Sequence, residues 1–191
     1  MNLYLTKKLK DKLKVDLLPE QAIDELYSWR ANYVQGYGQR FVVFMNDASR
    51  LTIVLNNAKA AKLKKLPELF MQTLKATLLT LGINPEVVDQ YISELAEITY
   101  FKNSDRTKTA WLNKCTETVW FGLRDMTDDV ELSIYANKML YGTSSNNDRK
   151  YYKPKEKIIE LFGRYGLPVR KFLAVDLNVP GWFLCVNIAA T

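Results

Sequence analysis

The sequence predicts an α+β domain in which an antiparallel sheet of about five or six strands packs against about four or five helices. Three observations predict it. Apolar runs separated by short turns crowd residues 31–55. Apolar residues then recur at helical spacing over much of 66–162. Hydrophobic residues make up 48% of the 191-residue chain and charged residues 25%, the balance of a globular protein with a real core.

Residues 2–6 (NLYLT) alternate as a short strand. In the lysine-rich stretch Lys7 to Lys14, Leu9 and Leu13 lie four apart, which suits a short helix with a solvated lysine face. Residues 19–29 open on Pro19 and Glu20 and predict a second helix. Proline needs no N–H in the first turn, and the carboxylate meets the positive dipole end. Strands over 31–35, 40–45 and 51–55 are joined by Gly36-Tyr37-Gly38 and by Asn46-Asp47-Ala48-Ser49. Both joints have turn chemistry, so the three form an antiparallel meander.

A helical block follows. Leu66, Phe70, Leu74, Leu78 and Leu81 share one face, and Gly82 suits the C-terminal cap. Asn84-Pro85 starts the next helix as cap and first residue, with Val88, Tyr91, Ile92, Leu95 and Ile98 inward. A helix over 106–123 carries Trp111, Cys115, Val119 and Leu123 on one stripe, and another spans 128–140. Residues 141–150 read as a loop, 154–163 as a helix opened by Pro154, and 168–177 with 182–188 as a hairpin. A boundary near 141–150 would set off a helix–hairpin subdomain over 150–191. About forty residues are too few to stand alone without staples, so residues 1–191 read as one domain.

Composition excludes much chemistry. The chain has no histidine, which rules out Ser-His-Asp and Cys-His catalysis and any histidine zinc ligand. Its two cysteines, Cys115 and Cys185, fall on expected core faces and lack CxxC spacing. No phosphate-binding loop is present: Gly36-Tyr37-Gly38 precedes a strand, whereas phosphate cradles need a helix N-terminus. No cofactor is expected. The N-terminal stretch lacks an apolar signal core, and the apolar runs are too short to span a bilayer. A cytoplasmic protein with reduced thiols and no membrane partner is the expectation.

Two groups of residues bear on function. Asp125, Asp128, Asp129 and Glu131 form the densest carboxylate cluster, able in principle to hold Mg²⁺ for phosphodiester cleavage. The competing reading is a helix start, with Asp128 as N-cap and Glu131 three residues on. Lys+Arg is 27 against 21 Asp+Glu, a net charge of +6, and the cations gather in stretches. These are Lys7 to Lys14, then Lys59, Lys62, Lys64 and Lys65, then Arg149, Lys150, Lys153 and Lys155, the last interleaved with Tyr151 and Tyr152. Lysines neutralise phosphates and tyrosine rings offer stacking faces for unpaired bases. The competing reading is a solvated surface.

The order Leu3-Tyr4-Leu5-Thr6-Lys7-Lys8-Leu9, Trp29 with Ala31-Asn32, Val43-Phe44-Met45-Asn46, Leu69-Phe70, Gly82-Ile83 and Asp105-Arg106 resembles a bacterial family known as domain of unknown function 6933. The likeness covers about residues 1–125. Arg30 stands where that pattern leads one to expect an aromatic residue or histidine, and Gln39-Arg40 replaces a more basic pair. The resemblance implies a bacterial, phage or plasmid source and a compact α+β fold, and carries over no catalytic residue.

The balance tilts from enzyme toward binder. The first expectation is a non-catalytic protein acting on nucleic acid or a nucleic-acid–protein complex, with an anti-CRISPR-like counter-defence role in view. A histidine-free metal-dependent nuclease is one alternative. A protein-interaction module such as an inhibitor or antitoxin, with a protein target, is the other.

Overall fold

The computed structural model describes residues 1–21, 24–142 and 151–167. The expected hairpin over 168–188, Cys185, Arg149 and Lys150 lie outside them. The strands are β1 (Asn2–Leu5), β2 (Ser28–Gly36), β3 (Gln39–Asn46), β4 (Thr52–Leu55), β5 (Thr99–Lys102), β6 (Tyr141–Gly142) and β7 (Tyr151–Tyr152). The helices are α1 (Lys7–Leu13), α2 (Ala60–Lys64), α3 (Leu66–Thr80), α4 (Pro85–Glu94), α5 (Arg106–Gly122), α6 (Asp129–Ala136) and α7 (Pro154–Arg164).

The α+β class holds, but the sheet is mixed rather than antiparallel. Its order is β4-β3-β2-β1-β5. The β2-β3-β4 meander is antiparallel, while β1 runs parallel to both β2 and β5. Parallel pairing needs a long connection. Here the β1–β2 connection holds α1, and the chain from β4 to β5 holds α2, α3 and α4. The described helices number seven rather than four or five, because the short α1 and α2 add to the longer ones.

Alternation in each strand feeds two cores, one on each face. Leu3, Leu5, Trp29, Ala31, Val42, Phe44 and Ile53 meet Phe70, Leu74, Tyr91, Ile158 and Phe162 from α3, α4 and α7. On the other face Phe41, Val43, Met45 and Val54 meet Leu112, Cys115 and Val119 of α5 and Leu132 and Ala136 of α6. Cys115 is buried as its stripe predicts. Its thiol lies 3.0 Å from the Tyr141 hydroxyl, and burial pushes its pKa up.

The helix expected over 19–29 does not form. Among the described residues of that span, a single 3₁₀ turn, Glu25–Tyr27, precedes β2, which takes Ser28–Arg30 into the sheet. Tertiary pairing overrides the helix-start chemistry of Pro19-Glu20. The Glu20 carboxylate accepts from Arg30 Nη2 at 2.6 Å and from the backbone amides of Ser104 at 2.6 Å and Asp105 at 2.9 Å. Arg30 itself is only 1% exposed. It donates Nε to Asp47 Oδ1 at 2.9 Å and Nη1 to Asn103, and its guanidinium lies 4.7 Å from the Tyr4 ring. A buried charge persists only when paired in this way.

The strand β5 falls where Ile98 was expected to continue a helix. Its outer edge is partly covered: the Leu18 amide donates to Tyr100 at 3.0 Å, and the Lys102 amide donates to Leu18 at 2.9 Å. The other edge of the sheet, β4, is closed by side chains of α6 and its C-cap. Asn137 Oδ1 accepts the Thr52 amide at 2.9 Å, Ser133 Oγ the Val54 amide at 2.9 Å, and Asp129 Oδ1 the Asn56 amide at 2.8 Å. Four helical residues rise about 6 Å and two strand residues about 6.7 Å, so positions 129, 133 and 137 keep step with 52, 54 and 56.

Candidate nucleic-acid interface

Two of the four clustered carboxylates have structural partners, while Asp125 and Glu131 are exposed. Asp128 is the N-cap of α6 and accepts from the Val130 and Glu131 amides, both at 2.9 Å. Asp129 closes the β4 edge with Oδ1 and binds Lys62 Nζ with Oδ2 at 2.5 Å. Among the described residues, no three of Asp, Glu and Cys are placed to share a metal ion.

The lysine stretches are sorted by the same folding. In 59–65, Lys62 turns to Asp129 and to the Asn56 carbonyl at 2.8 Å. Lys59 and Lys64 line a cleft of about 560 Å³, which Lys65 does not line. From the first stretch, Lys12 and Lys14 reach this cleft, whereas Lys7 and Lys10 line a different hollow beside Lys102. At about 100° per residue Lys12 turns away from Lys7 and Lys10, and Lys14 leaves the helix as its left-handed C-cap at φ 56°, so one run of lysines serves two surfaces.

Arg40, in the second residue of β3, completes the set. Its carbonyl accepts the Ala58 amide at 2.8 Å, which ties the β4–α2 connection to β3 and sets Lys59 near Arg40. Asn57 in that connection takes φ 48°, a left-handed conformation that asparagine tolerates. Tyr33 lines the cleft, and the Lys12 ammonium sits 5.4 Å from its ring centroid. Five cations from three segments, α1 with its C-cap, β3, and α2 with its N-cap, thus converge, and no carboxylate is among the lining residues. None of the five enters an ion pair among the described residues.

The described residues of the third stretch do not join them. Tyr152 pairs with Tyr141 across β6–β7 and packs half-buried on the second core, so its ring is no open stacking face. Tyr151 is exposed beside Gly142. Lys153 is the N-cap of α7, and Lys155 is exposed on its first turn. Tyr141 lies 5.6 Å from Trp111, over which Arg50 stacks at 4.5 Å. This hairpin therefore sits at the Arg50 end of β4, near the Met45–Thr52 pair. Arg40 lies five residues back along β3, about 17 Å away.

A comparison with protein families matches residues 2–157 to the family described as a domain of unknown function, DUF6933. The chain belongs to that family. The DUF6933 match runs beyond the motifs that end near Arg106 and reaches into α7. It contains every cation of the cleft. A search of curated proteins found no match. Among the described residues, no helix is long and apolar enough to cross a membrane.

The sequence pointed to Lys59 and Lys64 and, within the first stretch, to Lys12 and Lys14. It missed Arg40 and Tyr33 as partners of those lysines. The available signal was Arg40 two residues after the Gly36-Tyr37-Gly38 turn, where a side chain stands at the sheet's end.

Proposed function

We propose that this protein is a non-catalytic binder of nucleic acid, alone or within a nucleic-acid–protein complex, and that the cleft between α1, the β2–β3 hairpin and α2 is its contact surface. The convergence of Lys12, Lys14, Arg40, Lys59 and Lys64 on one concavity lined by no carboxylate carries this reading. A polyanion entering it releases condensed counterions, so affinity falls steeply with salt. Five phosphate contacts predict a log–log slope of about −3.5 on single strands and about −4.5 on duplex DNA.

Salt-titrated binding of single-stranded RNA, single-stranded DNA and duplex DNA tests this. Lys59→Ala and Lys64→Ala should each reduce the slope by about 0.7 to 0.9. Absence of binding at low salt, or slopes unmoved by these changes, would overturn the reading. Running the assay with labelled nucleic acid, with and without EDTA, tests the nuclease alternative, and persistence of cleavage in Asp128→Ala, Glu131→Ala would remove that cluster from it. The biological setting proposed is cytoplasmic, in a bacterium, phage or plasmid, with counter-defence of the anti-CRISPR kind as the role such a binder would serve. Phage plaquing on a CRISPR-armed host that expresses the chain tests that role. A stoichiometric protein partner that survives nuclease treatment would instead favour an interaction module.

A further inference from the structure

Beside the basic cleft the surface changes character across one residue. Gln39 borders the hollow formed by Arg40, Asn57 and Lys59, and it also borders a shallow apolar hollow made by Tyr37, Trp120, Phe121, Leu123 and Arg124. Tyr37 is 99% exposed and Phe121 61%. Trp120 is anchored edge-on to Phe41 at 5.0 Å, and Tyr37 stands edge-on to Trp120 at 6.0 Å. Arg124 lies 5.9 Å from the Phe121 ring. The aromatic shelf lies on the α5 face of the sheet and the cationic cleft on the α1–α2 face, and the two meet round the end of the β2–β3 hairpin through the hollow lined by Gln39, Arg40 and Lys59.

Tyr37 is an expensive residue for its position. The β2–β3 turn holds Tyr37 at φ 46° and Gly38 at φ 77°. Two successive positive φ angles favour Asn-Gly, and a bulky side chain there is an outlier. Nearly full exposure means that the ring gains little from burial in return. Strain of this kind persists where a binding surface uses the side chain.

We infer that the ligand of this surface is a single-stranded nucleic acid, its phosphates held by Lys12, Lys14, Arg40, Lys59 and Lys64 and its bases stacked on Tyr37, Trp120 and Phe121. This rests on the nucleic-acid reading above. Charge complementarity selects a polyanion, and the shelf narrows it further. A duplex offers phosphates but hides its base faces, whereas a single strand can bend round the hairpin end and offer phosphates to the basic face and bases to the aromatic one. Arg124 adds a planar cation able to stack on a base at the shelf's edge.

The test compares the full chain and its variants on single-stranded RNA, single-stranded DNA and a duplex of equal length, by fluorescence anisotropy across a salt series. Tyr37→Ala and Phe121→Ala should each weaken single-strand binding about 10- to 100-fold with the salt slope unchanged. Duplex binding should be the weaker of the two and indifferent to both changes. A preference between the two single strands identifies which sugar the site favours and supports the inference either way. Tyr37→Asn, which suits the turn, should lose affinity like Tyr37→Ala while keeping the thermal midpoint, separating stacking from folding. If the combined Tyr37→Ala, Phe121→Ala variant binds single strands like the wild type, or if duplex binds more tightly, the shelf is no base platform while the cleft reading stands. If nothing binds at low salt, both fall.

Discussion

Lys62 Nζ meets Asp129 Oδ2 at 2.5 Å, and this one contact explains two features that look functional in sequence. It takes a cation out of the 59–65 lysine run and a carboxylate out of the 125–131 acidic run. Asp129 is held for the purpose by the Asn56 amide on its other oxygen. Lys62→Ala should therefore lower stability by about 1 kcal/mol and leave the salt dependence of the proposed nucleic-acid binding unchanged. Lys59→Ala should do the reverse. Urea unfolding and salt-titrated binding on the same two variants decide it. Equal effects of both variants on the salt slope would place Lys62 in the contact surface after all.

The β4 edge gives a second prediction. Asn137 replaces a missing strand by accepting from and donating to Thr52, the donation at 2.7 Å. Asn137→Ala leaves a buried amide and a buried carbonyl without partners. The expected loss is about 3 kcal/mol by urea unfolding, since each orphaned group costs about 1–3 kcal/mol. A loss under 1 kcal/mol would mean that water takes over the edge.

Packing of α5 on α6 depends on Gly122. A Cβ there would come within 2.8 Å of Tyr135 Cδ1 and 3.2 Å of Leu132 Cδ2. Gly122→Ala should cost about 1–3 kcal/mol through overpacking despite the helix propensity gained. In Gly122→Ala, Tyr135→Ala the two effects should sum to less than the separate costs, because the second change removes the atoms in conflict. Strict additivity would show that α6 shifts instead.

Glu20 sets an acid limit. Burial would raise its carboxyl pKa, but hydrogen bonds from Ser104 and Arg30 outweigh this and lower it from 4.5 to about 2. The folded protein therefore binds fewer protons than the unfolded chain between those values. The stabilisation is complete above about pH 5 and is lost as pH falls toward 2. Its size is on the order of 2–3 kcal/mol. Thermal midpoints from pH 7 to pH 2 should fall less steeply in Glu20→Gln, which starts lower at pH 7. An unchanged acid profile in that variant would assign the loss to other carboxylates.

Local chemistry was legible wherever neighbours in sequence settle the outcome. Asp105, Asn84 and Asp128 cap the helices they precede, the meander turns fall at residues 36–39 and 46–51, and Cys115 lies on a buried stripe. The helix expected at 19–29 failed because Glu20 answers to Arg30 and Ser104, ten and eighty-four residues away. The short β5 was missed for a like reason: four residues carry too little pattern, and its pairing with β1 lies in the tertiary structure.

The sequence by itself determined the α+β class, the absence of histidine chemistry, the family resemblance and the surplus of lysine. Only the tertiary structure decided that β1 lies parallel between β2 and β5, and which lysines share a surface. Charge runs specify solvation but not direction. Helix rotation divides Lys12 from Lys7 and Lys10, the left-handed C-cap redirects Lys14, the Asp129 contact withdraws Lys62, and the Ala58–Arg40 hydrogen bond sets Lys59 near Arg40 of β3. The aromatic residues follow the same logic. Tyr152, which reads in sequence as a stacking face, packs half-buried against the second core, while Tyr37, which reads as part of a turn, stands exposed at the tip of the β2–β3 hairpin beside Trp120.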